Sequence, residues 1–204
     1  MNTVRFIAIG CLFIALFSAC SKKDASPEEI EKYLLDTSHG LTQESEAHGV
    51  KVQAIWRPVS LIAFQDAKSV KGNPDSLYKN SFTKYGQNTY FIINISGQGQ
   101  DVLNQTNGTE AYGKNVEKLS FHMDDNVFLV TPASDTIYAG DYSYPRMYGM
   151  SKMSSLLVAF AYSMPEQAEW LDLHIKDSGL GIGNRTFRYY RKDIIQIPAL
   201  ALEN

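Results

Sequence analysis

The 204-residue sequence predicts an all-β domain, an antiparallel β-sandwich with a short N-terminal helix, on three observations. Apolar, β-branched and aromatic residues recur at every second position over most of the chain beyond residue 50. About eight such segments follow one another at short spacings, divided by turn-forming residues. Strands do not alternate with long helical patterns, which argues against a parallel α/β design and leaves two packed antiparallel sheets.

The chain opens with Arg5 and then twelve uncharged, mostly apolar residues, Phe6 to Phe17. That run is shorter than the about 20 residues of a membrane-crossing helix and fits the about 7–15 of an export signal. Ser18 and Ala19 supply the small side chains of a cleavage site, and Cys20 follows at once. Phe17-Ser18-Ala19-Cys20 resembles the lipobox of bacterial lipoproteins, with Phe17 where that family most often has Leu. The resemblance implies a precursor whose residues 1–19 are removed and whose Cys20 is lipidated, anchoring the mature chain to a cell-envelope membrane, the outer membrane by preference. Cys11 lies inside the removed segment, so the mature chain keeps one thiol, which acylation would consume, and has no disulfide. The remaining 185 residues suffice for one hydrophobic core.

Residues 20–26 read as a short polar tether and residues 27–204 as a single domain. Ser26-Pro27-Glu28-Glu29 has the form of a capping box with proline at the first helical position, so a short helix is expected there. Ile30, Tyr33 and Leu34 would share its apolar face, and Gly40 would end the region.

Val52, Ala54 and Trp56 alternate with Lys51, Gln53 and Ile55, as one strand would. Thr89 to Ile95 reads as a central strand buried on both faces. Leu119, Phe121 and Met123 alternate with Ser120 and His122, and Asp124-Asp125-Asn126 would turn the chain into Val127–Val130, a hairpin. Asp135–Tyr138, Leu156–Phe160, Leu171–Ile175 and Thr186–Tyr190 complete the set. Helical material is expected only over Pro58–Ala67 and one turn at Pro165–Glu169. The stretch 96–113, rich in Gly, Asn, Gln and Thr, reads as a long exposed loop and a candidate binding surface. The strand count and spacing suit an immunoglobulin-like or related sandwich.

Removing Arg5 from the 19 basic residues leaves 18 against 22 acidic ones, which disfavours nucleic acid as a partner. Arg185, Arg188, Arg191 and Lys192 cluster on one strand and its end, where a solvated face is the simpler reading. Met147, Met150 and Met153 stand three apart, a spacing of soft sulfur ligands that resembles the methionine motifs of exported copper carriers. Core gap-filling is the plainer role for them. His39, His48, His122 and His174 show no metal-site spacing, and no Gly-x-Ser-x-Gly elbow marks a hydrolase. A hydrolase would need catalytic residues dispersed in sequence.

Gly179, Gly181 and Gly183 suit a turn between strands; a dinucleotide-binding loop would lead into a helix. Asp75-Ser76-Leu77 and Asp135-Thr136-Ile137 resemble the O-glycosylation acceptors of exported Bacteroidetes proteins. Tyr138, Tyr142, Tyr144 and Tyr148 crowd around Pro145, a composition suited to docking a protein or stacking on a glycan. The expectation is a lipid-anchored, non-enzymatic binding component of the cell envelope, without a cofactor and with an envelope protein or glycan as partner.

Overall fold

The computed structural model describes residues 24–105, 108–147, 150–177 and 179–202; Cys20 and Tyr148 lie outside them. Asp24 and Ala25, expected in the tether, form a strand (β1), and the first helix follows at Pro27–Leu35 (α1). The capping box closes as the sequence requires. The Glu29 amide donates to Ser26 Oγ at 3.2 Å and the Ser26 amide to Glu29 Oε2 at 2.9 Å. Ile30 and Leu34 are fully buried, so α1 docks on the body.

A six-stranded antiparallel sheet carries most of the core. Its strands are Thr42–Ala47 (β2), Val50–Arg57 (β3), Thr89–Gly97 (β4), Gln100–Asp101 (β5), Asp141–Ser143 (β8) and Ser154–Phe160 (β9), in the order β2-β3-β4-β9-β8 with β5 on the end of β4. The intervening Val127–Val130 (β6) and Thr136–Tyr138 (β7) belong instead to a second antiparallel sheet with Trp170–Ile175 (β10) and Arg185–Tyr190 (β11), ordered β11-β10-β6-β7. The two sheets are therefore interleaved along the chain.

Alternation puts Val52, Ala54, Trp56, Phe91, Ile93, Ile95, Leu156, Val158 and Phe160 on one face of the large sheet, all buried. They share one apolar cluster with Val127, Leu129, Leu171, Leu173, Ile175, Phe187 and Tyr189 of the small sheet. Tyr189 lies 5.0 Å from the Phe91 ring and 6.0 Å from the Trp56 ring, and its hydroxyl donates to the Ala54 carbonyl. The opposite face of the large sheet is half open, so Ile92 and Asn94 of β4 are not buried as a strand covered on both sides would be. Across it runs a polar ladder. Ser155 Oγ donates to Asn94 Oδ1 (2.6 Å), Asn94 Nδ2 to Gln53 Oε1 (2.7 Å) and Gln53 Nε2 to Glu44 Oε1 (2.7 Å).

Helix content exceeds the expectation. Val59–Ser69 (α2) falls where a helix is expected, but Pro74–Tyr85 (α3) and Thr109–Phe121 (α4) were not foreseen. Asn73 caps α3, accepting from the Ser76 amide at 3.0 Å, yet Ser81 is the buried residue of that helix, so no apolar stripe announces it. α4 replaces the first strand of the expected hairpin. Leu119, Phe121 and Met123 are spaced by twos, but Val116, Leu119 and Met123 by three and four, and Phe121, at 66% exposure, stands outside the core. Its N-cap is Gly108, which offers no side-chain signal. The expected loop 96–113 is instead the end of β4, β5, a 3₁₀ turn over Val102–Gln105 and the start of α4. A one-turn helix, Arg191–Ile194 (α5), leads to Ala199–Leu200 (β12), which pairs in parallel with β1.

Candidate binding surface

Two regions singled out in the sequence, 96–113 and 138–148, converge on one small cleft. Its lining is Asp101, Leu103 and Asn104, then Tyr112 and Val116 of α4, then Tyr144, Arg146 and Met147 after β8, around a volume of about 170 Å³. β5 brings Asp101 into place by pairing with β4, where Asp101 stands opposite Ser96. Although only 5% exposed, Asp101 borders the cleft. Its Oδ1 accepts from the Leu103 amide at 3.0 Å and from Ser154 Oγ at 2.7 Å.

Ser154 also lies 3.3 Å from the Tyr144 hydroxyl, so Asp101, Ser154 and Tyr144 form a hydrogen-bonded row under the cleft. Burial pushes the Tyr144 phenol above its ordinary pKa, and the contact with Ser154 opposes that shift only in part. Tyr144 is therefore a neutral hydroxyl at physiological pH. Ser154 is itself buried, so its oxygen serves the scaffold and is not presented to a ligand. On the other wall Arg146 Nη2 donates to Ser120 Oγ of α4 at 3.0 Å. The cleft therefore offers a buried carboxylate and a guanidinium held to α4, a pairing suited to recognition by charge and hydrogen bonding.

The other sulfur and aromatic candidates differ in exposure and place. Met147, Met150 and Met153 are all exposed, Met150 by 80%, which corrects the reading of these residues as core filler. Tyr112 is exposed as well. Tyr138 is exposed with its ring 5.4 Å from Phe128, and Tyr142 is half-buried, its oxygen accepting the Met123 amide at 3.4 Å. Asp101, Tyr112 and Arg146 lie within the two regions singled out in the sequence, but nothing there marks them individually, because their neighbourhood depends on α4.

The remaining candidates are scattered. His39 stacks on Tyr33 (3.7 Å between centroids), His174 stacks on Phe128 (4.9 Å), and His122 ends α4. Among the described residues no cluster of three or more His, Cys, Asp or Glu is placed to hold a metal ion. Arg188 is committed to a two-pronged pair with Asp172 (2.7 and 2.8 Å) and to the face of Trp170. The glycine-rich turn closes on a carboxylate of this chain. Asp177 accepts from the amides of Gly179, Leu180 and Gly181 through Oδ1 and from Gly183 through Oδ2, at 2.9–3.2 Å. Gly179, Gly181 and Gly183 have φ of +83°, +73° and +64°, which turns their N–H groups inward.

No family model and no curated protein matches the chain. Its solved structural neighbours include a protein of unknown function from Burkholderia pseudomallei, with a TM-score of 0.41 and 8% identity over 85% of this chain and 93% of that one. A DUF4426 family protein from Pseudomonas aeruginosa PAO1 gives a TM-score of 0.34 and 9% identity over 80% of this chain and 98% of that one.

Proposed function

We propose that the protein is a cell-envelope lipoprotein, anchored through Cys20 to a membrane, the outer membrane by preference, which binds another envelope protein without catalysing a reaction. Its two sheets form an antiparallel sandwich, a reading supported by the inward faces that meet at Tyr189, Phe91 and Trp56. The observation that carries the binding role is the convergence of Asp101, Tyr112, Tyr144, Arg146 and Met147 on one cleft beside exposed Met150. Tyr, Met and Arg are the side chains enriched in the centres of protein interfaces. A cleft of about 170 Å³ is below the about 300–1,000 Å³ of small-molecule sites and suits a single inserted side chain. Anchoring rests on the Phe17–Cys20 motif. No helix among the described residues is long and apolar enough to cross a membrane.

The test is crosslinking in the native cells, purification of the chain from solubilised membranes, and mass spectrometry of its partners and of its N-terminal peptide. An acylated Cys20 together with an envelope protein that is lost in an Arg146→Ala, Met150→Asp double variant supports the reading. An unmodified Cys20 overturns the anchor, and a partner set indifferent to that variant overturns the binding surface.

A further inference from the structure

A second, larger cleft of about 390 Å³ lies where the chain enters the fold. Its walls come from Pro27 and Glu28 at the start of α1, from α2 and α3 including Phe64, Val70 and Leu77, and from Ala201 and Leu202 after β12. We propose that this cleft seats one acyl chain carried by Cys20. The inference rests on the lipoprotein reading and adds a place for part of the anchor within the protein itself.

Three observations support it. The lining is mainly aliphatic and aromatic, with Glu28, Lys68 and Asp75 as its charged residues. The Lys68 ammonium lies over the Phe64 ring, with Nζ 4.5 Å from the centroid, so that charge is held against an aromatic face. An occupant of such a cleft is held by apolar burial, as a hydrocarbon chain is.

The second observation is position. β1 pairs Asp24 with Ala199 and Ala25 with Leu200, and the Ala201 amide donates to the Ala25 carbonyl at 2.9 Å. Both strands run directly into the cleft wall, at Pro27 on one side and Ala201 on the other. The tether thus leaves the fold at Asp24, three residues before the cleft wall at Pro27. The third is reach. From Asp24 back to Cys20 is four residues, a span of at most about 14 Å when extended. A chain tethered that closely meets the cleft at a local concentration that untethered lipid must compete with. The grip of the lipoprotein on its bilayer then depends on whether that acyl chain lies in the membrane or in the cleft.

The test uses cells expressing the full chain and fed a palmitate analogue that carries a diazirine and an alkyne. After irradiation, peptides crosslinked to the Cys20 peptide are identified by mass spectrometry. The expected result is an intramolecular link from labelled Cys20 to peptides containing Phe64, Val70, Leu77 or Leu202, lost in an Ala67→Trp variant that fills the cleft and melts like the parent. Labelled Cys20 linked only to phospholipid, or only to peptides elsewhere, overturns the proposal and leaves the anchor standing. Cleft peptides linked to labelled phospholipid and not to Cys20 overturn the choice of occupant. Absence of label on Cys20 overturns anchor and proposal together.

Discussion

Tyr189 donates its phenolic hydrogen to the carbonyl oxygen of Ala54 at 2.8 Å, joining the two sheets across 135 residues of sequence. Tyr189 is buried among Phe91 and Trp56, and burial holds its phenol well above the ordinary tyrosine range, so it is a permanent donor. Tyr189→Phe keeps the ring packing and removes one buried hydrogen bond. The expected loss is about 1 kcal/mol, or about 2–4 °C in melting temperature for a domain of this size. Tyr189→Ala also empties the ring's volume and should cost about 3–5 kcal/mol. Thermal unfolding of both variants checks the ordering.

Arg57 is buried, 4% exposed, at the end of β3, and its guanidinium is paired with Glu31 of α1 at 2.5 Å. Glu31→Ala strands that charge beneath the helix. Because Glu31 is itself 40% exposed, the expected cost is about 2 kcal/mol, less than the about 3–5 of a fully buried pair. The double change Glu31→Leu, Arg57→Met should recover most of the loss, which urea unfolding of the three chains would measure.

Burial raises the pKa of Asp177, but four backbone amides outweigh it and hold the carboxyl below the ordinary aspartate value. A depressed folded-state pKa contributes stability above the unfolded value of about 4, and that contribution disappears as pH falls through the folded value. Asp177→Asn should therefore melt below the parent at pH 7. The gap between the two should close progressively on acidification below about pH 4. A gap independent of pH would mean that the turn is held by its glycines and not by the charge.

Asp101→Asn retains the shape of the cleft but removes its negative charge, and the new amide can still accept from Leu103 and Ser154 through one oxygen. Stability is expected to fall by about 1 kcal/mol. Partner recovery in the crosslinking assay should fall more steeply than that loss of folded protein explains. Tyr112→Ala, at an exposed position of α4, should weaken recovery without changing the melting temperature.

The sequence was most readable where one local rule decided the outcome. Ser26 and Glu29 cap α1 because that pattern has its own chemistry, and the alternation of β9 and β11 survives because each has one core face. It failed where two periods coincide. Leu119 and Met123 satisfy a helix and a strand alike, and choosing the strand removed α4, and with α4 the wall that holds Tyr112 and Val116 opposite Asp101. α3 was missed for a different reason, since a helix with little buried surface leaves only its Asn73-Pro74 start as a signal. Half of the candidate surface was legible as composition around Tyr144 and Met147; Asp101 and Arg146 acquire meaning only through their neighbours.

Interleaving of the sheets has a kinetic consequence. β4 has β3 on one edge soon after it is made, but its other edge waits for β9, which begins at Ser154, and β6 waits for β10, which begins at Trp170. A chain emerging N-terminus first therefore cannot complete the large sheet before Phe160 or the small sheet before Tyr190, and pairings this distant in sequence close slowly. Until then Phe91, Ile93 and Ile95 lie on a strand with an open edge, the kind of template on which chains aggregate. Slow closure would keep the polypeptide threadable through a narrow pore while exposing it to a need for escorts, so the order of strands along the chain sets when it can fold as well as what it folds into.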